Sequence, residues 1–137
     1  MSAQQLLIRC LRAFLAGEGE APLSAPLEES VDWRFLLELA SWHRVVPLFY
    51  RSLRGGCRQA VPEPVVPQLE AQVRSALGRS LLLTRELLKL LKHFEAQGIT
   101  AIPLKGPALA AFLYGEPALR QFIVVGDYIC CSKARYE

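Results

Sequence analysis

Aspartate is scarce in this chain. Of its 13 acidic residues only Asp32 and Asp127 are Asp, far apart in sequence, so chemistry that needs a local Asp-x-Asp pair is excluded for the chain as written. Histidine is limited to His43 and His93, and the four cysteines, Cys10, Cys57, Cys130 and Cys131, contain no C-x-x-C spacing. Zinc ligation therefore has no motif to rest on, and reduced thiols in a cytoplasmic protein are the plain expectation. No apolar run approaches the roughly 18 residues of a spanning helix. The densest run, Ser80 to Thr84, is interrupted at once by Arg85 and Glu86. The first ten residues lack a charged region followed by a long apolar stretch, so a secretory signal is not expected. Strong charge is also missing: a net charge of +3 gives no concentrated basic stripe for nucleic acid and none for an anionic membrane.

What is present is apolar and periodic. At 137 residues and 52% hydrophobic content the chain suits one domain with a packed core. Leu7, Cys10, Leu11, Phe14 and Leu15 fall at helical spacing between about Ala3 and Ala16, with Gly17 as a stop. Residues 17–26 hold two Gly and two Pro and read as a loop. A second helix starts from Ser30 or Asp32 as N-cap and carries Trp33, Leu36, Leu37, Ala40 and Trp42 as its apolar stripe. Helicity should break near Pro47, and Leu48, Phe49 and Leu53 open a short helix closed by Gly55-Gly56.

Residues 1–60 thus form a helical N-terminal region, and 61–67 a proline-rich connector. The strongest signal follows at 68–97, where Leu69, Val73, Ala76, Leu77, Ser80, Thr84, Leu87, Leu88, Leu91 and Phe94 recur in steps of three and four. Such a helix, with Pro67 in its first turn and Gly98 just past its end, is about 45 Å long. Gly78 is the place for a bend, and the extra leucines at 81, 82, 83 and 90 imply contact on more than one side. Beyond Gly98, Ile99 to Leu104 reads as a strand, Lys105-Gly106-Pro107 as a turn and Ala108 to Tyr114 as a helix ended by Gly115. A second strand fits Phe122 to Val125. The fold class is α+β, mainly α, with one or two short strands.

Strand, Lys-Gly turn and helix in that order can bind an anion, because the helix N-terminus offers unpaired N–H groups, Gly106 admits a phosphate to the backbone and Lys105 adds charge. A Lys-Gly-Pro turn is more often a plain connector, and this one does not match the P-loop pattern. Other candidates have blander readings. Arg44, Arg51, Arg54 and Arg58 on one helical face read as a solvated face, Trp33 and Trp42 as packing anchors, and His43 as a hydrogen-bonded structural residue.

The block from Leu87 through Gly98-Ile-Thr-Ala-Ile-Pro-Leu-Lys-Gly-Pro-Ala-Leu109, followed by Tyr114-Gly-Glu-Pro-Ala-Leu-Arg120, closely resembles a bacterial family of largely uncharacterised nucleotidyltransferases. That family is similar to the polymerase-β-type nucleotidyltransferases. Trp33, Leu39-Ala40, His43-Arg-Val-Val-Pro47 and Tyr50 resemble its helical N-terminal part, so the likeness covers about residues 30–122. The resemblance implies transfer of a nucleotidyl group from a nucleoside triphosphate to an unidentified acceptor. It implies that Lys105 and Gly106 meet the nucleotide phosphates and that Arg120 borders the same cleft.

In the family an Asp-x-Asp pair for magnesium follows that Arg almost at once. Here Asp127 comes late and position 129 is Ile, so Asp127 is a metal ligand without a partner. On this reading 98–122 is a partial nucleotidyltransferase-like core and 123–137 an atypical tail, as in a truncated frame. The chain by itself is then expected to bind no magnesium and to be inactive. The rival expectation is a non-catalytic helical interaction module, self-associating through the long Leu-rich helix, with strand edges that favour aggregation.

Overall fold

A computed structural model of the chain describes residues 2–17, 31–53, 58 and 61–122, and the backbone of 129–133. The chain divides into two compact units, residues 1–76 and 77–137.

In the first unit, α1 (Ala3–Leu15) starts from a capping box: the Ser2 hydroxyl accepts from the Gln5 N–H at 3.2 Å, and the Gln5 side-chain Oε1 accepts from the Ser2 N–H at 3.1 Å. Its buried line is Ala3, Leu6, Leu7, Cys10 and Ala13. This line is rotated from the one the larger side chains suggest, and Leu15 is left 62% exposed. The small residues Ala3 and Ala13, which a search for bulky apolar positions passes over, lie on the packed side. Helix α2 (Trp33–Trp42) is capped by Asp32, whose carboxylate accepts from the Phe35 N–H at 2.9 Å. Leu36, Leu37 and Ala40 are buried, but Trp42 is 79% exposed and is not a packing anchor. Two residues past Ala40 is about 200° around the helix, so Trp42 falls on the opposite side, where it meets the His43 ring edge-on at 4.8 Å.

Helix α2 stops before Pro47. The Arg44 N–H donates to the Ser41 carbonyl at 3.0 Å and the Val45 N–H to the Ala40 carbonyl at 2.9 Å, a Schellman closure with Arg44 at φ 59°. Pro47 instead lies in the first turn of α3 (Val46–Ser52), where its missing N–H breaks no helical bond. The Gly17–Pro26 loop beyond Gly17, the Gly55-Gly56 stop and Arg54 lie outside the described residues. Arg44, Arg51 and Arg58 do not share a helical face: one is in the α2–α3 turn, one in α3 and one after it. Helix α1 packs on α2 and α3, and α2 on α3. Phe49, Leu36, Val46 and Leu6 are fully or almost fully buried and define this core.

Helix α4 (Val66–Ala96) is a single 31-residue helix. Pro67 lies in its first turn, and Gly98 (φ 67°) follows its end, donating its N–H to the Glu95 carbonyl at 3.0 Å. Leu69, Val73 and Ala76 are buried in the first unit, and Ser80 and Leu87 in the second. Of the widening leucines, Leu81, Leu82 and Leu90 are exposed and Leu83 is half-buried, and Leu88 of the main stripe is exposed as well. On its outer face Lys89 donates to Glu86 at 2.8 Å. That hydrogen bond, together with the charges of Lys89 and Arg85, holds the Glu86 carboxyl below its ordinary 4.5.

In the second unit β1 (Ile99–Pro103) pairs antiparallel with β2 (Ile129–Lys133), Ile99 opposite Lys133 and Pro103 opposite Ile129. The strand expected at Phe122–Val125 falls, after Phe122, outside the described residues; Phe122 itself is buried. Helix α5 (Gly106–Tyr114) ends at Gly115, whose left-handed φ of 71° lets its N–H reach the Ala111 carbonyl at 2.9 Å. A single 3-10 turn at Pro117–Leu119 packs on α5. Among the described residues no helix is long and apolar enough to cross a membrane.

Two outcomes follow. Phe49→Ala should cost about 3–5 kcal/mol, read as a lowered urea midpoint, because it empties a fully buried ring site. Lys89→Ala should return Glu86 toward 4.5 in an NMR titration. The unmutated pair stabilises α4 above the ordinary carboxylate range, and that support is lost as pH falls through the lowered Glu86 value.

Candidate functional site

The candidate site begins where β1 ends. After Pro103 the chain passes through Leu104 to Lys105, whose extended backbone (φ −138°, ψ −160°) forms the N-cap of α5. No side chain caps this helix, and its first turn contains no acid. Pro107 lies in that turn and has no N–H, so the donors left at the helix end belong to Gly106 and the residues after Pro107. Gly106 is buried and has φ 61°, a conformation that an L side chain adopts only with strain. The Lys105 side chain is exposed and, among the described residues, has no ion pair. A cation, an uncapped helix end and a left-handed glycine thus occur at consecutive positions, all favouring an anion.

Arg120 is fixed from another direction. It follows the 3-10 turn between two buried anchors, Leu119 and Phe122, and its carbonyl accepts from the buried Ser80 hydroxyl at 3.3 Å. The Ser80 carbonyl in turn accepts from Thr84 Oγ1 at 2.7 Å. The sequence placed Ser80 only on the apolar stripe of a helix. Its role as anchor for Arg120 spans 40 positions and leaves no local spacing to read. Gln121, next to Arg120, has its amide oxygen buried with no hydrogen-bond partner. Lys105 and Gly106 are brought together by α5, and Arg120 is tied to α4; no hydrogen bond or ion pair joins Lys105 to Arg120 among the described residues.

Asp127 lies outside the described residues. Among those described, no three His, Cys, Asp or Glu side chains gather where they could hold a metal ion. A concavity of about 450 Å³ lies elsewhere: it is lined by Leu88, Leu91, Lys92 and Glu95 of α4 and by the start of β1, at the opposite end of that strand from Lys105.

The class these features define is an α+β unit with an uncapped Lys-Gly turn between strand and helix. A family model described as uncharacterised nucleotidyltransferase matches residues 29–123, more than half the chain, and the chain belongs to that family. Comparison with curated proteins and with solved structures finds no match.

Gly106→Ala should cost about 1–2 kcal/mol through left-handed strain alone. The check is a lowered denaturation midpoint with unchanged far-UV circular dichroism at low temperature.

Proposed function

We propose that this chain binds a nucleoside triphosphate at the Lys105–Gly106 turn, with Arg120 bordering the same site, as a member of a family that transfers nucleotidyl groups. The observation that carries the reading is the start of α5: Lys105 at the N-cap, no capping side chain and no acid in the first turn. Backbone N–H groups there donate to phosphate oxygens, and Lys105 adds a point charge that a neutral nucleoside cannot exploit. Neither group performs chemistry. Their contribution is to hold and orient the phosphates.

Transfer itself is not proposed for these 137 residues acting alone. Asp127 has no acidic neighbour at 129, where the sequence has Ile, and a hard dication with one carboxylate is weakly held. A cytoplasmic location belongs to the same reading, supported by four cysteines without a pairing pattern.

Titration calorimetry with ATP tests this. The unmutated chain should bind, and Lys105→Ala should weaken binding by roughly tenfold or more, the value of a lost charge-assisted hydrogen bond. Absence of ATP binding by the unmutated chain, or equal binding by both, overturns the assignment of the turn. With magnesium present, neither protein should release pyrophosphate; release by the purified chain would refute the inactivity.

A further inference from the structure

Helix α4 carries a second apolar line beside its buried one. Leu77, Leu81, Thr84, Leu88 and Leu91 alternate steps of four and three, the spacing with which one helix receives another. They lie on the flank of the Ser80–Leu87 line that is packed within the second unit. Leu81 is 64% and Leu88 54% exposed, while Leu77, Thr84 and Leu91 are half-buried. At its C-terminal end the line opens into the 450 Å³ groove, where Leu88 and Leu91 form one wall and the start of β1 the other. A largely apolar row, exposed at Leu81 and Leu88 and leading into a concavity, has the form of a docking face.

Charge narrows the choice of occupant. On the solvent side the row is bordered by Arg85, Lys89 and Lys92. Lys89 is engaged by Glu86 at 2.8 Å. Arg85 acts on Glu86 only through its charge, and neither Arg85 nor Lys92 forms a hydrogen bond or ion pair among the described residues. Among the described residues the acids nearby are Glu86, already engaged by Lys89, and Glu95, which continues the row four residues past Leu91 at the groove end. A second copy is poorly matched: antiparallel pairing brings Arg85 toward its own counterpart, and parallel pairing sets Arg85 and Lys92 opposite Ser80, Leu87 and Phe94, none of them acidic. An amphipathic helix with leucine-type residues on one face and Glu or Asp beside them satisfies both the row and its rim.

We propose that the Leu77–Leu81–Thr84–Leu88 face of α4, with the adjoining groove, docks an acidic amphipathic helix of a partner protein. This face is separate from the Lys105 turn, and its occupation does not depend on nucleotide.

The test uses the full chain and two fluorescein-labelled three-heptad peptides with Leu at the a and d positions, one with Glu and one with Lys flanking them. Fluorescence anisotropy should show binding of the Glu peptide and at least tenfold weaker binding of the Lys peptide, the difference shrinking as salt is added. Leu88→Glu should abolish binding of the Glu peptide. The double variant Arg85→Glu, Lys92→Glu changes only exposed side chains and should reverse the preference, with circular dichroism confirming that it folds. Equal binding of both peptides, or binding of neither, overturns the proposal. So does sedimentation as a dimer that Leu88→Glu converts to monomer, because a second copy then covers the face.

Discussion

A 31-residue helix in water is held less by its own hydrogen bonds than by the apolar surface it buries, and α4 is the element on which each unit draws. Its first half gives Leu69, Val73 and Ala76 to the first unit, and its second half gives Ser80 and Leu87 to the other. Three short helices complete one core, and the strand, α5 and the 3-10 turn complete the other. The second unit adds a polar element to its share, because Ser80 is buried yet satisfied by the Arg120 carbonyl. A buried hydroxyl with a fixed partner determines where a chain segment lies more narrowly than an apolar contact does.

The candidate site is accordingly built mostly from backbone. Gly106 contributes a dihedral angle, α5 its unpaired N–H groups, and Ser80 a hold on the main chain beside Arg120. Lys105 alone contributes a mobile charge. On the proposed reading, such a site would recognise the phosphate group shared by all nucleotides and supply little to tell one base from another.

The sequence made the elements legible where composition and spacing agreed. The long helix, the strand at Ile99, the Lys105–Gly106 turn and the Gly115 stop all stand within a few residues of where propensity places them, because Pro, Gly and apolar periodicity act locally. Faces were harder. Leu15 and Trp42 look like core residues by type, but helix rotation is decided by which side has a neighbour, and Ala3, Ala13 and Ala40 mark that side without being conspicuous. The end of α2 was misplaced because Pro47 is the visible breaker, whereas the actual closure uses Arg44 in a left-handed conformation that no propensity suggests for Arg. Of the candidate site, the family resemblance named Lys105, Gly106 and Arg120, and local signals set the first two at a strand–helix turn. The Ser80 tether was not legible, since it exists only once α4 and the segment after α5 are packed together.

The pairing of β1 with β2 has a consequence for the order in which the chain acquires structure. Pro103 and Ile129 end the ladder, so closing it confines the roughly 25 intervening residues and requires a long loop to lose its freedom first. Helices α1 and α3 are as far apart in sequence as the two strands, but both lie ahead of β1 in the chain. During synthesis from the N-terminus, α1 to α3 can therefore settle while the strand that completes the second unit has yet to be made. For that interval β1 has an open edge, and its protection is a matter of timing rather than of final stability.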